Sequence, residues 1–233
     1  ISGVARSVNY YPINDELAEE GTVSLALGLG KYIVDGGLTL RVCPYHPDKV
    51  LQTSELEMAL RETQTRFYAL DLKNLGHDFS LDDGFNLLKL PVKEAEADGS
   101  LTYIASTYDP YDMVIRDGIY PGGRKVITFA NILQHDVFPL ARILQLVQKY
   151  GQGEMRRPVE IEFAVNLNAQ EKSGTFYLLQ IRPMVDMKAD FNEDLEAIPG
   201  ERLLLKSENA LGQGVIDDMQ DVIYVKTEGY SAS

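Results

Sequence analysis

Val159-Glu160-Ile161-Glu162-Phe163-Ala164-Val165-Asn166, followed by Phe176-Tyr177-Leu178-Leu179-Gln180-Ile181-Arg182-Pro183, is the stretch that decides how this chain reads. In the first segment Val159, Ile161, Phe163 and Val165 are apolar, while Glu160 and Glu162 point the other way, as a period of two requires. In the second, the even positions Phe176, Leu178, Gln180 and Arg182 share a face. Residues 167–174 between them are polar and end in Gly174, which suits a hairpin loop. Pairing Ala164 with Phe176 sets Glu160 opposite Gln180 and makes Glu162 its diagonal neighbour. One patch then gathers two carboxylates, an amide oxygen and a guanidinium. Magnesium takes hard oxygen ligands and is held by one or two carboxylates together with substrate phosphates. A guanidinium grips phosphate through paired N–H donors. The same spacing also suits a solvated hairpin face with a salt bridge.

Outward from the hairpin, residues 137–150 predict the clearest helix. Asp136 is placed to cap it, Pro139 is tolerated in its first turn, and Gly151 follows its end. Leu140, Ile143, Leu144, Val147 and Tyr150 make one apolar stripe. Residues 3–10, 21–30, 38–42, 101–105, 113–116 and 126–129 read as strands. The strand at 21–30 runs into a glycine turn, and 31–34 reads as one helical turn. Residues 54–72 are ambiguous: Ser54 with Glu57 fits a capping box, but Thr63, Thr65, Phe67 and Tyr68 favour extended chain. Residues 80–83 read as a helix start or turn, 94–100 as a surface loop, and 222–225 as strand-like. Strands outnumber helices without alternating regularly with them, so the class is α+β.

Composition narrows the function. The chain has 233 residues, 45% hydrophobic and 24% charged, which is ordinary for a globular protein able to build its own core. Its 22 Lys and Arg face 35 Asp and Glu, for a net charge of −13. A field of that sign repels phosphate backbones and argues against nucleic acid as partner. Cys43 is the single cysteine, so no internal disulfide forms, which suits the cytoplasm. No apolar run has the length of a membrane span and no signal peptide is visible, so no membrane partner is expected. The first residue is Ile1 rather than Met, and the expectation is a sequence that begins inside a longer chain.

The hairpin resembles the end of the ATP-binding domain of phosphoenolpyruvate synthase and pyruvate phosphate dikinase, enzymes with an acidic-Ile-Glu-aromatic strand and a strand ending in Leu-Gln-x-Arg-Pro. Ile1-Ser2-Gly3-Val4-Ala5 is similar to their Ser/Thr-Gly-Val-Ala strand, and Gly28-Leu29-Gly30 with Val34 and Gly36 resembles their Gly-Leu-Gly-Glu segment. The resemblance covers roughly residues 1–186 with a poorly matching middle. It implies an ATP-grasp fold, here a subdomain with a mainly antiparallel sheet and a few helices, forming the C-terminal portion over residues 1–187. Residues 188–233 would be a connecting segment towards a phosphohistidine domain. It implies ATP and Mg2+ as ligands, with Glu162 and Gln180 holding the metal. It makes Arg182 the catalytic group that neutralises the transferred phosphoryl, and places Ser7 and Glu160 near the nucleotide. Pyruvate would be reached only through domains absent here, the chain alone would not turn over, and a homodimeric full-length enzyme is open.

Lys31 stands where the family has Glu, and Arg6 where relatives carry an aromatic, so Arg6 meets either phosphate or a surface acid. The Arg-Pro ending and Gly-Leu-Gly favour the synthase over the dikinase. The rivals are a dikinase with another acceptor and a non-catalytic nucleotide-binding module. Other features read as structural. Cys43 is a small core residue, His46, His77 and His135 are loop or helix-entry residues, and Asp82-Asp83, Asp217-Asp218 and Arg156-Arg157 are solvated charge.

Overall fold

A computed structural model of the chain describes residues 1–72, 86–168, 171, 173–184, 198–206 and 218–224. The chain divides into two units, Ile1–Met184 and Val185–Ser233. In chain order the first contains β1 (Ser2–Arg6), β2 (Thr22–Ala26), α1 (Lys31–Val34), β3 (Leu40–Val42), α2 (Leu56–Glu62), β4 (Arg66–Leu70), β5 (Leu87–Pro91), β6 (Ala105–Asp109), β7 (Val114–Asp117), β8 (Arg124–Ile127), α3 (Ala130–Leu133), α4 (Leu140–Met155), β9 (Val159–Asn168) and β10 (Ser173–Pro183).

Five of these strands form one antiparallel sheet in the order β10-β9-β1-β2-β3; β7-β6-β8 and β4-β5 form two smaller antiparallel sheets. The class is α+β. Alternation sets the faces of the large sheet. Ala5, Val23, Leu25, Leu40, Ile161, Phe163 and Val165 turn inward and join one core with Leu140 and Leu144 of α4. Ile104, Ala105, Ile127, Phe129 and Ile132 extend that core towards the three-stranded sheet. The charged even positions of β1, β9 and the end of β10 are left on the outer face, where no apolar layer forces them out of contact with water.

The structure corrects the register of the hairpin. Phe176 lies opposite Val165 and Leu178 opposite Phe163; after a bulge, Gln180 lies opposite Glu162 and Arg182 opposite Glu160. Leu179 is the extra residue. An extra residue in one strand reverses the facing of everything beyond it. Phe176 and Leu178 therefore do not share a face with Gln180 and Arg182. Phe176 turns to the core, where its ring stacks on Phe163 at 5.1 Å between centroids.

Several elements start or stop elsewhere than the sequence suggests. Helix α4 runs straight through Gly151 to Met155, and Arg156 ends it with φ 52°. Gly151 is a packing residue, since a Cβ there would lie 2.4 Å from Ile181 Cδ1. Asp136 makes no cap; Pro139 precedes the first turn without a side-chain hydrogen bond. Tyr150 is 68% exposed, and buried Gln148 takes its place on the inward stripe. Ser54 donates to the Leu51 carbonyl rather than capping α2, which begins after Glu55. The ambiguous stretch resolves into α2 followed by β4. Residues 101–104 form a turn that buries Leu101 and Ile104, and β6 starts only at Ala105. The stretch expected as a loop opens with a 3-10 helix, Val92–Glu96, that buries Val92 and Ala95.

Residues 80–83, His77 and Asp217 lie outside the described residues, as do residue 187 of the expected domain boundary and Val225. Within the second unit, Gly200–Arg202 form a 3-10 turn, and residues 222–224 are exposed without strand pairing. No helix among the described residues is long and apolar enough to cross a membrane.

Candidate functional site

The outer face of the large sheet is a grid whose rows follow from the ladder. One row reads Arg182, Glu160, Arg6, Thr22 across β10, β9, β1 and β2; the next reads Gln180, Glu162, Val4, Ser24. Each row is one residue pair from the other on the same face, so the rows lie roughly 7 Å apart, with strands about 4.8 Å apart. A cleft of about 280 Å³ opens over the first row and over Glu162, Val4 and Ser24 of the second, while Gln180 does not line it. Ile33 and Val34 of α1 close one side. That helix is reached through the Gly28-Leu29-Gly30 turn, in which Gly28 has φ 89° and a Cβ would lie 2.6 Å from the Tyr68 carbonyl oxygen.

Glu160 is the anchor of the first row. Its side chain is 12% exposed and accepts from two guanidiniums. Arg6 Nε donates to Oε2 at 2.8 Å, and Arg182 donates to Oε1 through Nε at 3.0 Å and through Nη2. Burial opposes ionisation of Glu160, but the hydrogen bonds from Arg182 and Arg6 outweigh it and hold the carboxyl below its ordinary range. The same contact raises the pKa of Arg182. Both arginines keep half or more of their side-chain surface open, 50% for Arg6 and 58% for Arg182. A depressed pKa means that this clamp stabilises the fold fully above the ordinary carboxylate range, near pH 4.3. The contribution is lost as pH falls through the depressed folded-state value. Glu160→Gln is therefore expected to melt below the parent at pH 7, by about 2–4 °C per kcal/mol lost. That gap should narrow towards pH 3; a gap constant with pH in thermal melts would remove Glu160 ionisation from the account.

Glu162 and Gln180 face each other directly in the second row. Neither side chain makes a hydrogen bond or ion pair among the described residues, in contrast to Glu160. Their carboxylate and amide oxygens are hard donors with no hydrogen-bond partner there, although Glu162 lies close enough to Arg182 to act on it electrostatically. No group of three or more His, Cys, Asp or Glu side chains among the described residues is placed to hold a metal ion. A cation seated here would thus rest on two protein oxygens and complete its shell from water or ligand, the habit of magnesium.

The structure brings Glu160, Glu162, Gln180 and Arg182 onto one face, and leaves Ser7 elsewhere. Ser7 is buried beyond the end of β1, where its Oγ accepts from Val159 N–H at 2.8 Å and its own N–H donates to the Val159 carbonyl. It lines a different cleft, beside Gln148, Lys149 and Arg157 on the α4 side of the sheet. Lys31 Nζ lies 3.2 Å from Asp35 Oδ1 along α1, and Tyr68 donates to the other oxygen of Asp35. Cys43 is buried, and burial pushes its thiol up to about 11. His46 lies 3.2 Å from Glu20 and His135 2.9 Å from Asp117, both away from the grid. Of the two partners the sequence offers Arg6, phosphate or a surface acid, the structure shows the acid, Glu160, whereas nothing in the sequence points to Thr22 or Ser24. Alternation alone puts Arg6 opposite in facing to Ala5, but only the β1–β9 pairing brings it to Glu160.

Residues 1–199 match the family model described as pyruvate phosphate dikinase, AMP/ATP-binding domain. No curated protein and no solved structure matches the chain.

Proposed function

The chain belongs to the pyruvate phosphate dikinase AMP/ATP-binding domain family, and on that premise we propose that the outer-face grid receives the phosphate end of ATP. The observation that carries the reading is the pairing of Glu162 with Gln180 beside the Arg182–Glu160 row. Glu162 and Gln180 would hold Mg2+, for which one carboxylate in an open cleft and the amide oxygen paired with it across the ladder are a fitting donor set. Bound there, Mg2+ would supply neutralisation of the polyphosphate charge. Arg182, oriented by Glu160, would meet the transferred phosphoryl, where positioned cations contribute most to such reactions. Ser7 would act at one remove, tying the end of β1 to the start of β9.

On this reading the chain is an ATP-grasp-like nucleotide-binding portion, residues 1–187, of a phosphoenolpyruvate synthase-like phosphotransferase. Such an enzyme passes phosphate from ATP through a phosphohistidine towards pyruvate, and would work in the cytoplasm. A non-catalytic nucleotide-binding module is the second reading. It is favoured by Lys31, which stands in place of an acid and is engaged with Asp35.

Calorimetric titration of the protein with ATP, with and without Mg2+, tests the site. Wild type is expected to bind ATP more tightly with Mg2+. Glu162→Gln should lose most of that Mg2+ enhancement, about tenfold or more in Kd, while ATP binding in chelator stays unchanged. An undiminished Mg2+ enhancement in Glu162→Gln removes the metal from this pair.

A further inference from the structure

We infer that Arg6 is a second phosphate ligand of this domain, forming with Arg182 a two-guanidinium clamp, anchored on Glu160, that selects nucleotides with more than one phosphoryl group. The inference rests on the nucleotide reading of the same cleft.

The geometry carries it in three steps. First, Arg6 and Arg182 sit on strands that flank β9, so their backbones are about 10 Å apart while their head groups converge on one carboxylate. Each takes its own oxygen of Glu160: Arg6 takes Oε2 and Arg182 takes Oε1. The two cations thus approach the cleft from opposite sides of a shared, largely buried anion.

Second, their donors are far from spent. A guanidinium has five N–H donors. Arg6 uses only Nε among the described residues, and both of its terminal nitrogens make no hydrogen bond there. Arg182 makes a two-nitrogen contact to Oε1, and Arg6 holds Oε2 through Nε alone. The terminal fork of Arg6 is the part that suits paired contacts to phosphate oxygens.

Third, the charge balance asks for a polyanion together with a cation. Arg6 and Arg182 are cancelled by Glu160 and Glu162, so the four side chains sum to zero. An isolated anion gains little from such a patch. A polyphosphate carrying a divalent cation can meet Glu162 with its metal and the two arginines with its oxygens, one row away on the sheet. Two separated guanidiniums can each take a different phosphoryl group, whereas a monophosphate can satisfy only one side of the clamp.

The test is calorimetric titration of wild type, Arg6→Ala, Arg6→Lys and Arg182→Ala with adenosine, AMP and ATP in Mg2+. Arg6→Ala should weaken ATP roughly 10- to 100-fold, weaken AMP less, and leave adenosine within about twofold. Arg6→Lys should recover part of the ATP affinity, since it restores the charge without the planar fork. ATP binding unchanged by Arg6→Ala but weakened by Arg182→Ala overturns the clamp and leaves the nucleotide reading standing. Equal losses for adenosine and ATP also overturn it, because they assign Arg6 a structural role. Wild type that binds no ATP removes the nucleotide reading itself, and the clamp with it.

Discussion

Gly3→Ala is expected to destabilise the first unit by about 3 kcal/mol, at the upper end of what overpacking costs, and to lower its melting temperature by roughly 6–12 °C. The reason is a ring, not a backbone angle. A Cβ on residue 3 would fall 2.1 Å from Phe163 Cζ and within 2.7 Å of both Cε atoms. Gly3 pairs with Phe163 across β1 and β9 and with Leu25 across β1 and β2, so the added methyl points straight into the core. Phe163 is fully buried and stacked on Phe176, which leaves its ring no room to swing aside. Combining Gly3→Ala with Phe163→Leu should cost less than the sum of the two changes, since the smaller side chain vacates the overlap. Gly153→Ala serves as a control, because nothing lies within 4 Å of its Cβ position, and it should hold or gain stability. Chemical denaturation of the four variants reads all of this; additive losses for residues 3 and 163 would show that the ring does not dictate the glycine.

That glycine also shows what the sequence alone can and cannot reveal. The Ser-Gly-Val-Ala stretch is visible as a strand, and the alternation in residues 159–166 reads directly as a half-buried strand with Glu160 and Glu162 outward. Those patterns are local and survive folding unchanged. The pairing of β1 with β9 is not local. It joins Arg6 to Glu160 across 154 positions, and no spacing within either strand announces it. The bulge at Leu179 is silent for another reason. Leu178 and Leu179 are the same residue type, so composition does not say which one is extra. Reading the strand without it puts Phe176 on the charged face and misaligns both rows of the grid. Gly151 misleads in the opposite sense. It looks like a stop after an amphipathic run, but it is required by Ile181 of β10, a contact visible only once the helix is laid on the sheet. Tyr150 fails as a stripe residue because α4 rolls to present Gln148 inward, where its amide donates to the Arg6 carbonyl at 2.9 Å. The four residues on the hairpin were legible as one patch; for Arg6, supplied by a distant strand, a phosphate or an acid was legible as partner, but not that the acid is Glu160.

Arg182→Ala, introduced into the full-length protein, is expected to slow ATP-dependent phosphorylation by about 10³-fold while weakening ATP binding only about tenfold. The split follows from where charge sits along the reaction. On the proposed reading, bound ATP already has its charge distributed over the polyphosphate, and Arg6 and the oxygens of Glu162 and Gln180 would remain to meet it. As the phosphoryl group transfers, negative charge spreads over its equatorial oxygens, and a cation fixed beforehand is worth most at that moment. Arg182 is fixed in this sense: Nε and Nη2 both donate to Glu160 Oε1, and Glu160 is itself held from the other side by Arg6. The anchoring removes the reorganisation that a freely moving side chain would undergo. Arg182→Lys should recover binding more fully than rate, because an ammonium restores charge but cannot keep the two-nitrogen contact that aims it. Glu160→Gln should fall between them, retaining the hydrogen-bond acceptor without the charge that holds both guanidiniums in place. Separate measurement of nucleotide affinity and single-turnover phosphorylation distinguishes the effects. Equal losses in affinity and rate for Arg182→Ala would reduce it to a binding group, and an unchanged rate would take it out of the reaction altogether.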